Sequence, residues 1–358
     1  MDMSEILREV GRGKRGSRDL NYAEALAVAE HILRQEVSPA QTAAFLMAER
    51  MKMENVEELE AFVHACRNSA DRLSVFQDGL DCAGPYDGRT KSFMATFPVA
   101  FVLAAAGLPV TLHGSEPLPP KWGVTLSMLL REAGIDTRKM DREDARVAAQ
   151  RTNVMYVSSE EWCAPLRQLR PLREELGFRT VFNTAEKLID FNHSPYLVFG
   201  VFHNTFLDRI AKLLTRFGYR RAYVIQGMEG SEDLYIDRPT RVYAVENGDT
   251  KLELVDPAAY ELDIPVPEMA WTAAKQLEVA ESVLSGEGHT AFVNQVLLNG
   301  GFRLYATGRV DSIEEGIYTC QGLLDSGAAY RKYQQWTVSM GGELPDSRAV
   351  STYPATSR

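Results

Sequence analysis

The chain has 358 residues, 45% of them hydrophobic and 25% charged, with 39 Lys and Arg against 49 Asp and Glu for a net charge of −10. That much apolar material excludes a disordered chain, and the length suggests two domains or one large domain with an accessory one. An acidic body excludes polyanion binding by the whole surface, so any nucleic-acid site has to be a local patch.

The opening MDMSEILREVGRGKRG has no apolar core and does not read as a signal peptide. The apolar stretch 99–110 falls far short of the roughly 20 residues that cross a bilayer. A cytoplasmic protein with no membrane partner is expected. Four scattered cysteines (Cys66, Cys82, Cys163, Cys320) show no C-x-x-C spacing, so free thiols are expected and a zinc or redox site is not.

Residues 22–36 carry Ala25, Leu26, Ala29, Ile32 and Leu33 at helical spacing. Ser38-Pro39 then supplies a cap and a first-turn proline for a second helix, and 56–70 reads as a third. A small helical domain over 1–75 follows. Near residue 76 the character changes. Gly84, Pro85, Asp87 and Gly88 read as a loop, 97–106 as a helix, 108–114 as a buried strand, and 124–134 as a helix. Further strands are expected at 154–158, 196–202, 222–227 and 241–248, and helices at 271–284 and 290–305. One last helix, over 312–336, opens with a capping box at Ser312 and Glu315. This rhythm predicts an α/β domain with a mixed central sheet over 76–343. The polar stretch 344–358 reads as a flexible tail.

Three sets of basic residues stand out. Arg8, Arg12, Lys14, Arg15 and Arg18 lie among Gly11, Gly13 and Gly16, which reads as a flexible phosphate-contacting arm. Arg167, Arg170 and Arg173 share one helical face, as do Arg209, Lys212 and Arg216. The plainer reading of both stripes is a solvated face paired with Glu174, Glu175 and Asp208. Glu229, Glu232 and Asp233 follow a predicted strand, where ligand sites of α/β proteins gather; they read as a Mg²⁺ site or a solvated acidic turn. His113 and His203 end predicted strands and read as core or loop histidines rather than bases.

The segments AFVLAAAGLPVTLHG, LRPLREELGFRTVFN, RAYVIQGMEGSEDL and LDSGAA occur in the order found in anthranilate phosphoribosyltransferases, and the chain resembles that glycosyltransferase family over roughly residues 20–335. The resemblance implies a helical insertion around 161–191 packing on the small domain, a ligand cleft between domains, and a homodimer through the helical domain, for which residues 40–53 offer an apolar face. It implies pentosyl transfer from phosphoribosyl pyrophosphate to an aromatic or nitrogenous acceptor, with Mg²⁺ as cofactor. Positions Gly84, Asp87, Gly88, Thr96, His113, Gly114 and Lys121 would then line the phosphoribosyl cleft, Arg173 would face the acceptor, and Glu232 and Asp233 would hold the metal.

The family pattern is broken where phosphate should sit. Pro85 and Tyr86 stand in the glycine-rich loop, Met94 replaces an asparagine, Leu112 replaces a lysine, and Pro119-Pro120 replaces a serine pair. Pro85 removes a backbone donor and Tyr86 adds bulk where close backbone approach is needed. The opening segment, NTAEKL (183–188) and GVFH (200–203) are similar to a branch of non-tryptophan paralogues in which the cradle is lost, some of them implicated in nucleic-acid binding. The expectation is therefore a non-catalytic or altered member that binds nucleic acid or another phosphate ligand, with no assured catalytic residue; an active transferase is the alternative.

Overall fold

The computed structural model describes residues 2–13 and 15–344. Seven strands form one sheet: β1 (Leu80–Ala83), β2 (Val110–Gly114), β3 (Val154–Ser158), β4 (Tyr196–Gly200), β5 (Arg221–Ile225), β6 (Thr240–Glu246) and β7 (Asp249–Val255). Their order is β3-β2-β1-β4-β5-β6-β7. The first five are parallel, and β6 and β7 join antiparallel, so the sheet is mixed as the sequence implies.

Strand alternation divides the core into two layers. Cys82, Leu112, Tyr156, Val198 and Tyr223 point into one, beneath helices Thr96–Ala105, Thr290–Ala306 and Ala328–Ser339. Met155, Val157, Leu197, Phe199 and Val224 point into the other, which is continuous with the small helical domain through Phe45, Phe62 and Phe182. The Phe62 and Phe182 rings meet edge-on at 5.2 Å. The segment 159–188 is helical and rests on the small domain, where Arg50 Nη1 donates to the Arg179 carbonyl at 2.7 Å.

Four elements depart from the sequence reading. Leu80–Ala83, to which the sequence reading gives no element, is β1, an interior strand of the sheet. The segment after residue 248 is β7, joined to β6 through Asn247-Gly248, both at positive φ. The expected helix over 312–336 is two, Ile313–Asp325 and Ala328–Ser339, broken where Gly327 adopts φ 67°. The N-terminal arm is not a loose one. Helix Met3–Val10 docks through Met3 and Val10, and a turn returns from Gly13 to Ser17. All four cysteines are buried and unpaired, and no described helix is long and apolar enough to cross a membrane.

Candidate functional site

Strand order reverses between β1 and β4, and their carboxyl ends open on the crevice where such sheets bind ligands. Two spaces lie there, one nearly filled and one open.

The filled space lies among Gly84, Tyr86, His113, Gly114, Thr96 and Glu232, and measures about 20 Å³, room for about one water molecule. Tyr86 occupies it. Its hydroxyl meets His113 Nδ1 at 2.5 Å, and His113 Nε2 lies 3.1 Å from Asp81 Oδ1, all three residues being buried. Burial pushes the Tyr86 phenol well above its ordinary pKa, so it stays protonated. The loop that carries Tyr86 is fixed from below. A Cβ on Gly88, at φ 76°, would stand 2.3 Å from the Gly123 carbonyl oxygen, so two backbones meet directly.

The acidic pair is held by arginines. Asp233 Oδ2 lies 2.5 Å from Arg89 Nη2 and Oδ1 accepts from Arg303 Nη2 at 2.9 Å. Thr96 donates its backbone N–H to Asp233 Oδ2 at 3.3 Å, and its hydroxyl accepts from Arg303 at 3.4 Å. Burial raises the Asp233 carboxyl, but the two guanidinium groups outweigh it and hold it below its usual range. Glu232 is buried with both carboxylate oxygens lacking a hydrogen-bond donor, and Arg89 Nη2 is 4.0 Å away. Both Asp233 oxygens meet guanidinium groups, whereas the two buried Glu232 oxygens have no donor and are the ones left to meet a cation. Among the described residues no cluster of three metal-ligating side chains exists.

Glu229, at φ 54°, serves the loop instead. It accepts from Thr90 N at 2.9 Å, Lys91 N at 3.0 Å and Ser92 Oγ at 2.7 Å. Burial pushes its carboxyl up, and these donors outweigh burial, holding it at about 2.

The open space is a cleft of about 470 Å³ between the helical domain and the sheet. Arg50, Met51 and Met53 line it from the small domain, Tyr86 and Asp87 from the loop after β1, Arg179, Asn183 and Lys187 from the insertion, and Phe199 to His203 from the end of β4 and the turn after it. Asp87 pairs with Arg179 and with Lys121, whose Nζ is 3.3 Å away and also donates to the Glu229 carbonyl. Lys187 donates to the Gly200 carbonyl at 2.6 Å and lies 4.0 Å from the Phe199 ring centroid.

Arg173 does not reach this cleft. It is buried in a bidentate pair with Glu186, at 2.6 and 2.8 Å, so its expected role toward an acceptor is replaced by an internal one. Gly84 and Gly114 line the filled pocket, and a Cβ on Gly84 would come within 2.8 Å of Glu232 Oε2. Most of the expected nucleic-acid residues are engaged locally: Arg12 and Arg18 with Glu9, Arg18 with Glu24, Arg167 with Glu161, Arg170 with Glu160 and Glu174, and Arg216 with Glu60. Arg209 stacks over Phe206, while Arg15 and Lys212 are exposed. Lys14 lies outside the described residues.

Arg89, Arg303, Arg179 and Lys187 were missed as site residues. Gln295, Asn299 and Arg303, four apart on an otherwise apolar helix, were a legible sign of a buried polar face.

Two domain descriptions match the chain: the helical bundle domain of a glycosyl transferase family over residues 4–70 and that family's a/b domain over 87–330. The chain belongs to this glycosyl transferase family. Among its relatives, an anthranilate phosphoribosyltransferase of Thioalkalivibrio sulfidiphilus is 31% identical, covering 94% of this chain and 98% of that one. A protein of Aquifex aeolicus described as uncharacterized is 30% identical over 88% of this chain and 97% of its own length. The anthranilate phosphoribosyltransferase of Thermus thermophilus superimposes with a TM-score of 0.80 at 26% identity, covering 96% of this chain and all of that one. The enzyme of Saccharomyces cerevisiae, in complex with PRPP and Mg, shares the fold at TM-score 0.81 and 18% identity, covering 95% and 98% of the two chains. Within this glycosyl transferase family, the chain keeps the helical and α/β frame, with Tyr86 in the wall of both spaces of its crevice.

Proposed function

We propose that this chain is a family member that has given up transfer from phosphoribosyl pyrophosphate and binds a phosphate-bearing ligand in the cleft between its two domains. The observation that carries this reading is the Tyr86 side chain against His113, which leaves about 20 Å³ where a phosphoribosyl group would need to enter. The arginine-held Asp233 supports it, because a metal held there with pyrophosphate would have to displace two buried ion pairs. The cleft beside it is open, and Arg50, Arg179 and Lys187 line it alongside Glu54, Asp87 and Glu229, of which Asp87 is paired with Arg179 and Glu229 is bound to the 90–92 loop. A calorimetric titration with phosphoribosyl pyrophosphate and Mg²⁺ tests the first half. No heat of specific binding is expected; a micromolar, Mg²⁺-dependent isotherm would overturn it.

A second reading, single-stranded nucleic acid across the cleft mouth, is favoured by Phe202. Its ring is 51% exposed, meets His203 edge-on at 4.7 Å, and lines the same cleft as Arg50 and Arg179. Aromatic faces beside cations are what sequence-tolerant strand binding uses. A homodimer through helix Pro39–Lys52 is supported by the exposure of Met47 and Met51, and light scattering measures it directly.

A further inference from the structure

Lys187 is the unusual group of the cleft. Its side chain is 7% exposed, yet it lines the 470 Å³ space, and no described carboxylate forms an ion pair with it. It stands in NTAEKL, the segment that departs from the family's pattern. One of its hydrogens goes to the Gly200 carbonyl, and its remaining surroundings are the Phe199 ring and the cleft. Two carboxylates act on it from a distance, Glu232 and Asp87, and Asp87 is itself paired with Arg179 and Lys121. Tyr86 and Asn183 line the same space without charge.

We propose that Lys187 is a nucleophilic amine that captures a small aldehyde or ketone bearing an anionic group, as an imine, in this cleft. The step is a condensation: the Nζ lone pair attacks the carbonyl carbon, a C=N bond forms, and the oxygen leaves as water with both amine hydrogens. Arg179 and Arg50, which line the cleft, hold the ligand's anionic group, and the apolar wall of Phe199 and Val201 keeps bulk water from the imine. Two observations of the environment agree. An amine in a dry pocket beside other cations is the standard way a lysine becomes a Schiff-base former. Burial, with help from Arg179 and Lys121, lowers the Lys187 pKa to about 7 against the opposing pull of Glu232 and Asp87. At pH 7 about half of such an amine is neutral, roughly a thousandfold more than for an ordinary lysine near 10.4. Lys187 could instead serve only to tie β4 to the insertion; its reactivity separates the two roles.

This inference rests on the cleft being the binding site, and its test does not involve phosphoribosyl transfer, so each can fail alone. The full chain is treated at pH 7 with pyridoxal 5′-phosphate, an aldehyde carrying a phosphate, then reduced with borohydride and mapped by peptide mass spectrometry. Lys187 should be labelled at least tenfold faster than the exposed Lys139 and Lys251. Its rate should rise through pH 7 and level off near pH 8, while the exposed lysines continue to rise. Inorganic phosphate should slow Lys187 selectively. Lys187→Arg, which keeps the cation and its donor to Gly200, should remove the fast site and retain the fold by circular dichroism. Labelling of Lys187 no faster than the exposed lysines in the unmodified chain would overturn the proposal, whatever the variant does.

Discussion

Asp233 sits between Arg89 and Arg303 with no solvent to share the charge. Removing one partner from a buried ion pair leaves the others uncompensated, which costs about 3–5 kcal/mol. Asp233→Asn should therefore lower the unfolding free energy measured in urea by that much, although the substitution is nearly isosteric. Were Asp233 a metal ligand waiting for its ion, the same change would cost little in metal-free buffer and abolish a Mg²⁺-dependent shift. Glu49 makes a second residue-scale test. Burial, then the nearby Glu58, push its carboxyl up to about 8, against the pull of Lys52. A folded-state value above the unfolded one means that Glu49 favours the fold fully below about pH 4.5, and that this contribution is lost as pH rises through about 8. Glu49→Gln should thus leave thermal stability near pH 5 almost unchanged and raise it by a few degrees at pH 8.5. An equal effect at both pH values would show that the side chain is not titrating in that range.

At the scale of elements, helices Thr290–Ala306 and Ile313–Asp325 touch backbone to backbone. A Cβ on Gly301 would stand 2.7 Å from Ile317 N, and one on Gly316 would stand 2.5 Å from the Gly301 carbonyl. Gly301→Val should destabilise the chain by about 1–3 kcal/mol through overpacking, measured by chemical denaturation. The long helices were readable because their apolar period and caps agree, as at Ser38-Pro39 and Ser312. β1 was not, for a physical reason. Its four residues are buried on both faces, so no alternation marks them, and Asp81 in the middle looks like a surface residue. The break at Gly327 was hidden because apolar residues continue in phase on both sides of it. In the site, Pro85, Tyr86 and Leu112 stood out in the sequence, since each changes what the backbone or side chain can offer a phosphate, and that is the ground of the proposed loss of transfer. What they meet in the fold was not legible. Asp81 lies within β1, Tyr86 in the loop after it and His113 near the end of β2, and Arg89 meets Asp233 only after the chain has folded.

For the whole molecule, the −10 net charge matters less than how the basic residues are used. With Arg12 and Arg18 engaged by Glu9 and Glu24, the N-terminal segment offers few cations to a polyanion. If single-stranded nucleic acid binds, replacing Arg12, Lys14 and Arg15 by alanine should change the log–log salt slope by less than one, where each phosphate that a cation neutralises on a single strand accounts for about 0.7. Phe202→Ala should weaken the same binding by about 1–3 kcal/mol, the worth of one stacked base. A slope change of two or more in the triple variant, with Phe202→Ala silent, would move the interface from the cleft mouth to the N-terminal segment.

The central claim is that Tyr86 and the arginine-held acids have taken the place of the phosphoribosyl group. The most direct measurement is the fluorescence of anthranilate, which is consumed on transfer, in the presence of phosphoribosyl pyrophosphate, Mg²⁺ and micromolar protein. The account predicts no consumption above the protein-free control, because each strong preorganised donor missing from the developing charge costs about 2.7–4 kcal/mol. Steady, Mg²⁺-dependent loss of anthranilate in proportion to protein concentration would contradict it.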